Sequence, residues 1–227
     1  MDYMNAENVT KQYGSGEATV TAVDDVSFGI NKGEFVAIMG ESGSGKSTLL
    51  SMLGGLNSPT SGRLSLDGVD IYARTSDERA DFRKTSIGFV FQSFHLLPYL
   101  TLAENVMLPL AIVNMGKKEK LSAAIDALAR VGLQTKASRL PNQISGGEQE
   151  RVAIARAIVN RPPIILADEP TGNLDTRTGT EVMRLLSALN HEGITVIMVT
   201  HSNDYARCAT RLIRLSDGHL VGEETAN

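Results

Sequence analysis

The octapeptide Gly40-Glu41-Ser42-Gly43-Ser44-Gly45-Lys46-Ser47 constrains this chain more than any other stretch. It follows an apolar run, Phe35-Val36-Ala37-Ile38-Met39, and precedes Leu49, Leu50, Leu53 and Leu56. It therefore reads as the turn between a buried strand and a helix that begins at Lys46 and runs to Leu56. The pattern G-x-x-x-x-G-K-[ST] has a chemical reason. Glycines let the backbone curl until successive N–H groups point inward, and the helix N-terminus adds its own unpaired donors. The product is a nest for a polyphosphate. Lys46 is spaced to reach the β- and γ-phosphates, and Ser47 to offer its hydroxyl to Mg²⁺.

Other runs extend the same pattern. Residues 87–91, 164–167 and 194–199 predict further core strands, and strands alternating with helical stretches predict an α/β fold with a mostly parallel sheet. Residues 102–160 read as helical, most clearly over 123–131, and suggest a second lobe inserted between strands. The first 35 residues and residues 63–71 predict shorter strands, with turns at Asn31-Lys32-Gly33 and Asp67-Gly68. The 227 residues suit one domain with two lobes, and no repeat, low-complexity tract or linker divides them. A net charge of -4 argues against a general nucleic-acid binder. The single cysteine, Cys208, forms no internal disulfide and fits a reducing compartment. The start, Met1-Asp2-Tyr3-Met4, lacks the basic-then-apolar order of a signal peptide. The longest apolar run, residues 106–113, contains Pro109 and falls short of the roughly 18 residues of a membrane helix. A soluble protein is expected, whose membrane role would come through a partner.

Two further clusters carry chemistry. Ile164-Ile165-Leu166-Ala167 runs straight into Asp168 and Glu169. Carboxylates at the end of a buried strand are unfavourable unless they serve a cation or a proton. Asp168 suits a Mg²⁺ shell through water, and Glu169 suits the base that polarises an attacking water. Ser145-Gly146-Gly147-Glu148 opens a helix with Val152, Ala155 and Val159 on one face. Ser-x-x-Glu is a capping box in its own right, Ser145 capping and Glu148 bonding back. Two glycines in a first turn cost about 1 kcal/mol each relative to alanine, which a simple cap does not require. They suit N–H groups that must approach a phosphate closely.

With these motifs in this order, nearly the whole chain resembles the ATP-binding cassette (ABC) ATPases. The resemblance implies a P-loop NTPase core with a mostly parallel sheet, an antiparallel β subdomain and an inserted helical subdomain over about residues 93–160, all within one nucleotide-binding domain spanning residues 1–227. It implies Walker A at residues 40–47 with Thr48 beside it, a Q-loop at Gln92, a signature at residues 145–148 and Walker B at residues 164–168. A D-loop at Asn173-Leu174-Asp175 and an H-loop at His201 follow. In that family Gln92 would touch Mg²⁺ and the water, and His201 the γ-phosphate. Tyr13 sits where the family stacks an aromatic on adenine, although an ordinary half-buried strand tyrosine fits the position too. ATP and Mg²⁺ are the implied cofactors. The implied assembly is a head-to-tail pair of identical chains with each ATP between Walker A of one copy and the signature of the other. One position departs from the commonest pattern: the fifth signature residue is Glu148 rather than glutamine. A carboxylate facing a triphosphate would be repelled, so it is expected to fold back as the cap.

Phe82-Arg83-Lys84, Leu96-Leu97-Pro98, Glu104-Asn105-Val106 and residues 167–175 resemble the lipoprotein-releasing, macrolide-exporting and cell-division branch. That likeness implies an integral permease of the FtsX/MacB type as partner, and a peripheral location on the cytoplasmic face of the inner membrane. The apolar segment 94–102 reads either as a buried loop or as the groove for a cytoplasmic helix of that permease, offering side chains such as Phe94 or Leu97. A soluble, non-transport ABC ATPase, for example of the iron–sulfur assembly type, is the alternative function.

Overall fold

The apolar run of residues 35–39 becomes β3 (Phe35–Met39), buried along its whole length. It is the hub of the larger sheet in this computed structural model, which describes residues 2–225. On one side it pairs in parallel with β8 (Thr195–Thr200), which pairs with β7 (Ile164–Asp168), which pairs with β6 (Ile87–Val90). On the other side it pairs in parallel with β9 (Arg211–Ser216), and β10 (His219–Thr225) closes that edge antiparallel. The central strands read as continuous apolar runs because both faces are covered.

Alternation along β3 divides the core. Phe35, Ala37 and Met39 point into one cluster, with residues of α5 (Gly146–Ile158) and α6 (Thr176–His191). Val36 and Ile38 point into the other, with Leu49, Leu50, Met52 and Leu53 of α1 (Lys46–Leu53). That second cluster also receives the inner face of a four-stranded sheet. Its β1 (Met4–Tyr13) and β2 (Val20–Ile30) form an antiparallel pair with Met4 opposite Ile30, and β4 (Ser61–Leu66) and β5 (Val69–Asp70) extend it. The antiparallel subdomain is thus present.

The helical stretch is less continuous than its composition suggests. It consists of α3 (Leu102–Met107), a 3₁₀ turn over Leu108–Ile112 with Pro109 in its first turn, α4 (Lys117–Arg130) and α5. The α3, α4 and α5 helices pack on one another as the helical lobe, whose core is continuous with the cluster behind β3. The first predicted helix is also shorter than expected. Gly54 caps α1 and Gly55 turns with a φ of +67°, so Leu56 leaves the core and is 51% exposed. Some elements are not singled out in the sequence. Among them are the polar α2 (Ser76–Ser86), α6, the β9–β10 hairpin and the short α7 (Asn203–Ala206).

Candidate active site

Parallel strands all present their C-terminal ends at one edge, and the candidate residues collect there. β3 delivers residues 40–47, β7 delivers Asp168 and Glu169, β8 delivers His201 and β6 leads to Gln92. Glu41, Ser42, Gly43, Lys46, Ser47, Thr48, Gln92, Glu169 and His201 line one open cleft of about 610 Å³, together with Ala22 of β2.

The loop owes its shape to glycine. Gly45 caps α1 at a φ of +96°, and a Cβ there would lie 2.1 Å from the Ala22 carbonyl oxygen. No other residue fits both the dihedral and the space. The Lys46 ammonium is held over the loop, donating to the Gly40 carbonyl at 2.9 Å and the Glu41 carbonyl at 2.7 Å. Ser44 is buried beneath, and its Oγ has no hydrogen-bond partner among the described residues. An unpaired buried hydroxyl and a caged ammonium in one nest are complementary to an anion.

Across the cleft, Ser47 Oγ donates to Asp168 Oδ1 at 2.8 Å. Burial raises the Asp168 carboxyl above the usual carboxylate range, and neighbouring Glu169 adds to this; the Ser47 hydrogen bond and Lys46 oppose it. Glu169 has a left-handed backbone, φ +47°, pinned by its N–H on the Val199 carbonyl at 3.0 Å. Its Oε1 lies 2.9 Å from His201 Nδ1. A carboxylate that accepts in this contact requires the imidazole proton on Nδ1. Gln92 is exposed in the cleft, and its own carbonyl accepts from Asn173 Nδ2 at 2.8 Å.

Other predicted residues stand outside the cleft. Tyr13 does not line it; the ring is 43% exposed, with the Lys11 ammonium 5.1 Å from its centroid and the hydroxyl accepting from Asn57 Nδ2. Ser145 caps α5 and residues 146–148 open it, and none of the four lines the cleft. There Glu148 does fold back. Its Oε2 accepts from the Ser145 N–H at 3.0 Å while its own N–H donates to Ser145 Oγ at 3.3 Å. Lys136 adds an ion pair that the sequence reading missed, and with the Ser145 bond holds Glu148 well below the usual carboxylate range. Gly147 sits so close to α6 that a Cβ would lie 2.0 Å from Thr178 Cγ2. Asp175 caps α6, accepting from the Thr178 N–H at 3.1 Å.

The segment after Gln92 differs from expectation in detail. Phe94 and Leu97 are half-buried, and Tyr99 is its exposed large hydrophobic side chain, at 73%. An apolar groove of about 360 Å³ lies next to Phe91, lined by Leu56, Phe89, Phe91, Pro109 and Ile112 with Arg83 and Lys84, and residues 94–102 take no part in its lining.

Comparison with known proteins agrees with this geometry. The family model described as ABC transporter matches residues 23–172. An uncharacterized ABC transporter ATP-binding protein of Bacillus subtilis, YknY, is 49% identical over 94% of this chain and 93% of its own length. The macrolide export ATP-binding/permease protein MacB of Burkholderia pseudomallei is 48% identical over 95% of this chain, which spans 33% of that longer protein. Among solved structures, a dimeric post-hydrolysis state of the ATP-binding cassette MJ0796, from Methanocaldococcus jannaschii and bound to ADP and Pi, superposes with a TM-score of 0.91. It is 46% identical and covers 99% of both chains. A nest built for a polyphosphate, a strand-end carboxylate pair and a signature helix, with relatives alike over nearly the whole of this chain, have one reading: the chain belongs to the ABC transporter family, as an ATP-binding cassette that hydrolyses ATP.

Proposed function

We propose that two copies of this chain close around two ATPs and that the resulting cycle drives an integral membrane permease of the FtsX/MacB type. The observation carrying the hydrolytic half is Glu169, a strand-end carboxylate oriented by His201 in the same cleft as Lys46. Lys46 and the N–H groups of residues 41–48 bind the β- and γ-phosphates, and Tyr13 offers its exposed ring to adenine. Glu169 accepts a proton from the attacking water, while His201 holds that carboxylate and faces the γ-phosphate.

The oxygen donors Ser47 Oγ and Asp168, already 2.8 Å apart, are a hard, anionic pair that fits Mg²⁺, with Gln92 as a further ligand. When bound, Mg²⁺ neutralises charge on the phosphates. Ser145, Gly146 and Gly147 serve the ATP of the opposite copy, with Asp175 at the junction between copies. This is supported by their absence from the lining of the cleft that holds the phosphate loop of their own chain and by the dimeric state named for MJ0796.

The apolar groove beside Gln92 supports a permease helix as partner, and the likeness to MacB supports the branch. Such an assembly works at the cytoplasmic face of the inner membrane; among the described residues no helix is long and apolar enough to cross it. Turnover of Glu169→Gln tests the first half: binding of ATP persists and hydrolysis falls about 10²–10⁴-fold. Turnover within a fewfold of wild type would remove Glu169 from the role. Purification of the native protein from membranes tests the second half. Recovery with a permease is expected, and recovery alone from the soluble fraction would favour a non-transport ATPase.

A further inference from the structure

Residues 92–101 form the link from the cleft to the helical lobe, and they have no regular secondary structure. Side chains from three elements hold the link instead. Asn173, just beyond β7, takes the Gln92 carbonyl. Asn105 of α3, fully buried, accepts from the Leu97 N–H at 2.7 Å and donates to the carbonyls of Leu97, Leu100 and Thr101. Between them stands Arg156, in the last turn of α5. Its Nη1 donates to the His95 carbonyl and its Nη2 to the Phe94 carbonyl, both at 2.6 Å.

Those two acceptors are unusual. Phe94 and His95 have φ values of +55° and +49°, a conformation that residues with a Cβ hold in succession only when their surroundings impose it. A guanidinium presents two parallel donors to two successive carbonyls, whereas a lysine ammonium is a single point on a flexible stem. The clamp acts two and three residues after Gln92. It also belongs to the helix whose first turn is the signature. The 13 residues of α5 are one uninterrupted helix, roughly 20 Å from end to end.

We propose that Arg156 is a positioning residue that makes α5 a rigid link, so that engagement of residues 145–148 by the opposite copy's nucleotide sets where Gln92 stands in the cleft. The inference rests on the role given to Gln92 above. Arg156 touches neither ATP nor water in this scheme; it acts through the backbone of Phe94 and His95.

A double-mutant cycle on the full chain tests it, with turnover, KM for ATP and the Mg²⁺ concentration for half-maximal rate as readouts. Arg156→Gln should lower kcat about 10–100-fold and raise the Mg²⁺ requirement, with KM for ATP changed less than about threefold. Added to Gln92→Ala, it should lower kcat no further, because the group it positions is already gone. Arg156→Lys should fall between wild type and Arg156→Gln, and it serves in the cycle if Arg156→Gln fails to fold. If Gln92→Ala is impaired and the Arg156 substitution multiplies that loss in full, the positioning role is overturned while Gln92 keeps its own. If Gln92→Ala turns over at the wild-type rate, the role of Gln92 falls, and the proposal falls with it.

Discussion

Lys136 and Glu148 illustrate how one contact changes the meaning of a residue. A carboxylate at the start of a helix that faces a triphosphate is expected to repel it. Here the charge is answered twice, by the Lys136 ammonium and by the Ser145 N–H, so the first turn of α5 stays receptive to an anion. Glu148→Gln keeps the reciprocal cap, since an amide oxygen accepts the same N–H, and turnover should stay within about threefold of wild type. Ser145→Ala removes the Oγ that takes the Glu148 N–H. It should lower stability by about 0.5–2 kcal/mol and depress turnover as well. Melting temperature and steady-state rate of the two variants under one buffer decide the matter. Were Glu148→Gln inactive and Ser145→Ala normal, the cap would be the wrong description of Glu148.

The helix that carries this cap also buries a second acid. Glu150 has no exposed surface, and neither carboxyl oxygen has a hydrogen-bond partner among the described residues. Burial pushes it up to about 8 from an ordinary 4.5, with Arg156 pulling the other way. Between those two values the folded chain keeps a proton that the unfolded chain has released, so this residue makes the fold less stable as pH rises. Glu150→Gln should match wild type in urea unfolding at about pH 5 and exceed it at about pH 8.5, the gap growing by up to about 1.4 kcal/mol per pH unit. A gap that shrinks with rising pH would contradict the assignment. Nothing in the sequence announced this acid, because Glu150 sits among Glu148, Gln149 and Arg151 in a stretch that reads as polar surface. The strands β3, β7 and β8 were legible for the opposite reason: buried on both faces, they spell out continuous apolar runs. Helix α2 buries only Phe82 and so shows no apolar face; its signal is the capping box of Thr75 and Glu78. Local motifs gave the phosphate loop and the carboxylate pair. The contacts of Asn173 with Gln92 and Arg156 with Phe94 span 81 and 62 residues, and no spacing rule reaches that far.

Taken whole, the cleft that holds the phosphate loop is lined by none of residues 145–148, which is why the proposed function calls for a second copy. If two copies complete both sites as proposed, the mass of Glu169→Gln in light scattering should double on adding Mg-ATP and stay doubled. The wild type should return to its starting mass as ATP is consumed. A variant that remains monomeric at saturating ATP would count against the sandwich. The order of strands in the larger sheet has a consequence of another kind. The neighbours of β3 are β8 and β9, and its Phe35 pairs with Val196. On the ribosome, roughly 160 further residues, on the order of ten seconds of synthesis, must follow before β3 meets either partner. The helical lobe, contiguous over residues 102–158, is complete well before then. Until β8 emerges, β3 is an apolar strand with two open edges, and the nascent chain needs shielding from its neighbours for as long as β8 is unmade.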